Sequence, residues 1–155
     1  MKNKNVVKKI TAILATACMM VGMLATTAMA KPAANQQGSL TIQTDSQQQS
    51  SLAGYKFDLY KIASISVDSS TGNMTYVMEA EYGSILTEDA LADQTAVEQK
   101  LTDLSNAATG KTPIATQQID ESSTDTTVTI SNLALGYYLV KVTAPEGAAA
   151  TSDFL

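Results

Sequence analysis

The chain has 155 residues, no His and no Trp, and a formal net charge of −5. Its only Cys is Cys18, and it contains no Arg, so Ser–His pairs, a Cys nucleophile beyond the N-terminal region and imidazole metal ligands are excluded. Fifteen acidic residues face only six lysines over residues 31–155, a net charge of −9, which argues against nucleic-acid binding and against docking on anionic lipid.

The first thirty residues read as a processing signal. Lys2, Lys4, Lys8 and Lys9 form a basic start, an apolar run follows over 10–25, and Ala28-Met29-Ala30 supplies the small residues a signal peptidase reads, so cleavage is expected between Ala30 and Lys31. The apolar run is also about as long as a short membrane helix. The basic start, the small-residue end and the polar stretch that follows favour removal instead, leaving no membrane association. Cys18 follows Ala15-Thr16-Ala17, but a lipoprotein signal would place Leu three residues before the Cys, and here an apolar stretch continues beyond it. The mature chain of 125 residues is one domain's length, enough for a core, and holds no Cys for a disulfide.

Residues 31–37 read as a flexible leader and 38–155 as the domain. Gly38-Ser39-Leu40-Thr41-Ile42-Gln43-Thr44 alternates, placing Leu40 and Ile42 on one face of a strand. The Ser/Gln-rich stretch 45–51 is a loop. A stronger strand follows Gly54, with Tyr55, Phe57 and Leu59 on one face and Lys56, Asp58 and Tyr60 on the other. Residues 68–73 (Asp-Ser-Ser-Thr-Gly-Asn) form a turn, and 74–80 the next strand.

The period then changes. Thr87 is placed to cap a helix, with Glu88 and Asp89 in its first turn, and Val97, Leu101, Leu104 and Ala108 recur at helical spacing. Asn106, Gly110 and Pro113 are stop signals. One helix is expected within 88–108, with a break near Asp93, packing on the sheet or covering its edge. Residues 117–125 are polar. Alternation returns over 126–130, with Val128 and Ile130 on one face. A tight turn at 133–136 leads into a long strand that ends at Pro145-Glu146-Gly147, and 151–155 begin a last strand that the sequence leaves unfinished. About six short strands with turns between them suggest a β-sandwich.

Five blocks in this order carry a resemblance: Gly38-Ser39-Leu40-Thr41-Ile42, then 52–62 (Leu-Ala-Gly-Tyr-Lys-Phe-Asp-Leu-Tyr-Lys-Ile), Leu135-Gly136-Tyr137-Tyr138-Leu139-Val140, Ala144-Pro145-Glu146-Gly147 and Ser152-Asp153-Phe154-Leu155. Behind a signal peptide and without cysteine, this succession resembles the N-terminal domain of major pilins of the SpaA type, and more widely the CnaB-like modules of collagen adhesins. The resemblance implies an all-β, immunoglobulin-like (CnaB-type) β-sandwich with one helical insertion. It implies a non-catalytic subunit of a sortase-assembled pilus at the cell surface, anchored to the wall and supporting adhesion. Sortase and other pilin subunits are then the partners, with a host or surface ligand beyond them, and no cofactor or metal is implied. A wall-anchored or tip adhesin is the alternative reading; an accessory domain of a secreted hydrolase is a third. The cross-linking Lys of the pilin motif and an LPxTG signal are not among these residues, so the sequence is expected to be the front of a longer protein.

Members of this family form an internal isopeptide bond between a Lys on the first strand and an Asn or Asp on the last, with an acid as proton shuttle; burial lowers the Lys pKa and frees the amine. Here the first-strand position holds Thr44, and the acid position falls on Val142 or Lys141 according to the counting. No bond of the usual type is therefore expected. The residual candidates are Lys61, which shares the parity of Phe57 and Leu59, and Asp153 near the last strand; for Lys61 the plainer reading is a stem along the core rim with its amine in water.

Other features carry less. Glu79 and Glu81 share a strand parity and read as a solvated face rather than a hydrolase pair. The 68–73 turn has oxygen ligands but lacks the calcium-loop pattern. Tyr137 and Tyr138 adjoin, so one is expected to face in and one out. Gly54 and Gly136 are read as turn formers.

Overall fold

The computed structural model describes residues 36–44, 51–148 and 153–155. The expected signal peptide, its cleavage point at Ala30 and Lys31, and most of the 31–37 leader and the 45–51 loop lie outside them.

The described chain is mostly antiparallel β-sheet with one α-helix. In order it forms β1 (Gln37–Gln43), β2 (Lys56–Val67), β3 (Met74–Met78), a short 3-10 turn (Asp89–Ala92), α1 (Gln94–Ala108), β4 (Ala115–Gln118), β5 (Thr127–Ala134) and β6 (Gly136–Thr143). β1 and β5 make a two-stranded sheet with Leu40 opposite Ile130 and Ile42 opposite Val128. In the second sheet β2 is central: β6 runs along one side, and β4 and β3 share the other. Phe154 adds an antiparallel bridge to Val140 on the outer edge of β6.

Period-two alternation sorts the apolar side chains of the larger sheet to its two faces. One face brings Phe57 and Leu59 of β2 and Tyr138 and Val140 of β6 against Ile42, Val128 and Ile130 of the smaller sheet. The other brings Tyr60, Ile62 and Leu139 against Leu91, Val97, Leu104 and Ala108, with Tyr82 and Leu86 between. Both faces of the larger sheet are thus covered, one by a sheet and one by the helical segment. Each large side chain so buried contributes roughly 1.5–3 kcal/mol.

The helix starts later than its sequence signals suggested. Asp93, not Thr87, is the cap: its Oδ1 accepts from the N–H groups of Thr95 (2.9 Å) and Ala96 (3.3 Å). The four residues after Glu88 form the 3-10 turn, so the break expected near Asp93 is the true start of α1. Gly110, at φ 79°, turns the chain out after it.

Three further corrections concern strands. β4 falls partly in sequence read only as polar; Ala115-Thr116-Gln117-Gln118 is strand because β2 offers it an edge, which local composition does not reveal. β5 runs on to Ala134 with Asn132 at φ 62°. Gly136 is not needed for a left-handed turn. A Cβ there would lie 2.6 Å from the carbonyl oxygen of Ala63, so glycine is needed to let β6 approach β2. Gly54 does take positive φ (75°), as a turn requires.

Candidate cross-link site

The positions at which the resembled family builds its bond are occupied by groups with other engagements. Thr44 extends the β1–β5 ladder, its N–H donating to the Thr126 carbonyl at 2.9 Å. Val142 packs at the margin of the inter-sheet core, and its N–H donates to Asp153 Oδ1 at 3.0 Å. Lys141 lies on the opposite parity and reaches the end of α1. Its Nζ donates to the Ser105 carbonyl (3.0 Å) and to Thr109 Oγ1 (2.9 Å), placing a cation at the negative end of the helix dipole.

Lys61 and Asp153 are not brought together. Lys61 stands opposite Tyr138 in the β2–β6 ladder, while Asp153 is bound at Val142. Four residues of strand separate those anchor points, about 13 Å. Lys61 runs its stem past Gly136 and pairs its amine with Glu79 Oε1 at 3.3 Å, 29% exposed. It is a rim lysine, with an ion pair added to the water contact expected for it. Asp153 accepts from Ser105 Oγ as well as from the Val142 N–H, and so ties the 153–155 segment to both α1 and β6.

The helix-covered face carries a polar group at its margin that the sequence did not single out. Asp58 accepts from Lys56 Nζ at 2.7 Å and from Thr116 Oγ1 at 2.6 Å. Burial pushes its carboxyl pKa up, but the Lys56 and Thr116 hydrogen bonds and the Lys56 and Lys141 charges outweigh this and hold it below the usual value. Tyr60 is pushed up by burial and by the Asp58 and Asp153 carboxylates. Strand parity placed Asp58 and Tyr60 together; the approach of β4, which brings Thr116, was the missing signal.

The remaining candidates resolve as structural contacts. Glu79 and Glu81 lie past the end of β3, where Glu79 binds Lys61 and accepts from Ser64 Oγ (2.8 Å), and Glu81 pairs with Lys111 (3.0 Å). Tyr82, next in the chain, is buried, and burial with the nearby Glu81, Tyr60 and Glu79 pushes its phenol up to about 12. In the 68–73 turn, Asp68 Oδ1 accepts from Ser70 Oγ and from the N–H groups of Ser70 and Thr71, which lower its pKa to about 2. No cluster of three potential metal ligands occurs among the described residues. Tyr137 and Tyr138 do point to opposite faces, but neither is an exposed aromatic. Tyr138 donates its hydroxyl to the Ala134 carbonyl, and Tyr137 packs edge-on against Tyr76 at 6.3 Å.

No family model, no curated protein and no solved structure matches this chain.

Proposed function

We propose that this chain is the N-terminal domain of a sortase-assembled pilus subunit, an immunoglobulin-like β-sandwich of the CnaB type that is exported, joined covalently to its neighbours and anchored to the cell wall, where it supports adhesion. One observation carries the reading. Four of the sequence blocks that resemble the pilin domain supply a single core: Leu40 and Ile42, Phe57 and Leu59, Tyr138 and Val140, and Phe154 all pack together. That blocks far apart in sequence meet in one core between two sheets supports the reading. The signal-like N-terminus and the acidic mature chain without cysteine accord with an extracellular shaft domain. Its role is mechanical and its own side chains perform no chemistry; the covalent joints are made by sortase.

Antibodies raised against residues 31–155 test this by immunoelectron microscopy of intact cells. Labelling along filaments that project from the surface is expected. Label confined to the cytoplasm, or surface label without filaments, would refute the shaft-subunit reading.

A further inference from the structure

Three of the four exposed large apolar side chains among the described residues, Met74 (57%), Tyr76 (36%) and Val77 (50%), belong to the five residues of β3. β3 is an edge of the larger sheet, and not the edge that Phe154 joins: the order runs Phe154, β6, β2, β3. Three strand spacings, about 14 Å, therefore separate it from the 153–155 segment.

The backbone of β3 is half used. The Glu79 N–H donates to the Ile62 carbonyl at 2.9 Å, and the Asn73 carbonyl accepts from the Asp68 N–H at 2.9 Å, so the odd-numbered residues from 73 to 79 turn to β2. In an antiparallel ladder alternate residues direct N–H and C=O to the same side. Met74, Tyr76 and Met78 therefore turn theirs outward, where no described strand meets them. Sheet edges are commonly blunted by a Lys, a Pro or a bulge. Met74-Thr75-Tyr76-Val77-Met78 has neither residue, and it pairs with β2 without a register shift.

We infer that β3 pairs with β3 of a second copy of this chain, antiparallel, about a two-fold axis at Tyr76. The outward groups of Met74, Tyr76 and Met78 are symmetric about that point, so the strand meets itself with every outward donor opposite an acceptor. Met74 then faces the partner's Met78, Tyr76 faces the partner's Tyr76 on the same side of the sheet, and Thr75 faces the partner's Val77 on the other, all favourable cross-strand pairs. Charge selects the same arrangement. Residues 69–78 carry no charge in a chain that is acidic as a whole. Glu79, the first charge beyond β3, falls opposite the partner's Asn73 and is itself paired with Lys61. A parallel pairing would instead set Glu79 against Glu79. Five residues bury less than the roughly 800 Å² per partner of a stable interface, so the dissociation constant is expected on the order of 0.1 mM. The pairing is non-covalent and independent of sortase assembly.

The test uses the mature chain, residues 31–155. Sedimentation equilibrium should show a monomer at about 10 µM and mostly dimer at about 1 mM. Over the same range, exchange at the Met74, Tyr76 and Met78 amides should slow about fourfold, while the Thr75 and Val77 amides, already in the β2 ladder, stay unchanged. Tyr76→Lys and Tyr76→Glu each set like charges opposite one another on the axis, and each alone should remain monomeric at 1 mM. An equimolar mixture of the two should dimerise, because Lys then meets Glu. Urea unfolding confirms that both variants fold, and the exchange measurement on the parent chain needs no variant. A parent chain monomeric at 1 mM, dimerisation without protection of the three outward amides, undiminished association of Tyr76→Lys, or failure of the mixture to associate would each overturn the inference.

Discussion

Gly136→Ala puts one methyl group between the two strands at the centre of the fold. The added Cβ would sit 2.6 Å from the Ala63 carbonyl oxygen, a backbone atom held in the β2–β6 ladder, where Ser64 stands opposite Gly136. Relieving the overlap needs a shift of roughly half an ångström between strands packed on both faces, and overpacking of this kind costs about 1–3 kcal/mol. The lower entropy of the unfolded alanine chain returns about 0.4–1 kcal/mol, leaving a net loss of about 1–2 kcal/mol. Gly38→Ala is the control, because a Cβ there meets nothing within 4 Å and only the entropic gain remains. Urea unfolding of residues 31–155 measures both; the loss should appear as a lower midpoint at unchanged slope. A Gly136→Ala chain as stable as the parent, or one indistinguishable from Gly38→Ala, would refute the close-approach account of this glycine.

Leu104, fully buried where α1 meets the sheet, should cost about 3–5 kcal/mol as Leu104→Ala by the same unfolding assay. Tyr82 has a folded pKa of about 12 against an unfolded value near 10, so the neutral phenol's contribution is complete below pH 10. It then falls by up to about 2–3 kcal/mol as pH rises to 12, and Tyr82→Phe should remove that part of the alkaline decline. Asp58 has the opposite sign: its folded pKa is depressed, so its contribution is present above the unfolded value near 4 and is lost as pH falls through the folded one. Thr116→Val should therefore reduce the acid sensitivity of unfolding. Asp153→Ala removes acceptors for Ser105 Oγ and the Val142 N–H; exchange at the Val142 amide should rise about tenfold while the global midpoint moves little. An intact mass of residues 31–155 equal to that of the unmodified chain is expected, and loss of one water or one ammonia would show a cross-link that the separation of Lys61 and Asp153 opposes.

The inter-sheet core was legible because alternation is local: Ile42, Phe57, Leu59, Val128 and Ile130 share faces by parity alone. The stripe Val97, Leu104 and Ala108 was legible for the same reason at helical period. What that stripe covers was not, since sequence does not say that Tyr60, Ile62 and Leu139 form a second buried face beneath it. β4 escaped notice because its strand character comes from the β2 edge rather than from its own residues. At the candidate site the substitutions at Thr44 and Val142 were readable, but the engagement of Lys141 by the end of α1 and of Asp153 by Ser105 depends on contacts across 36 and 48 residues of sequence.

The most direct measurement of the proposed role is an immunoblot of cell-wall extracts, with antibodies to residues 31–155, from cells with and without their sortases. A ladder of high-mass bands that survives boiling in detergent and disappears without sortase is expected of a covalently polymerised subunit. A single band at the mass of one chain in both strains would contradict it.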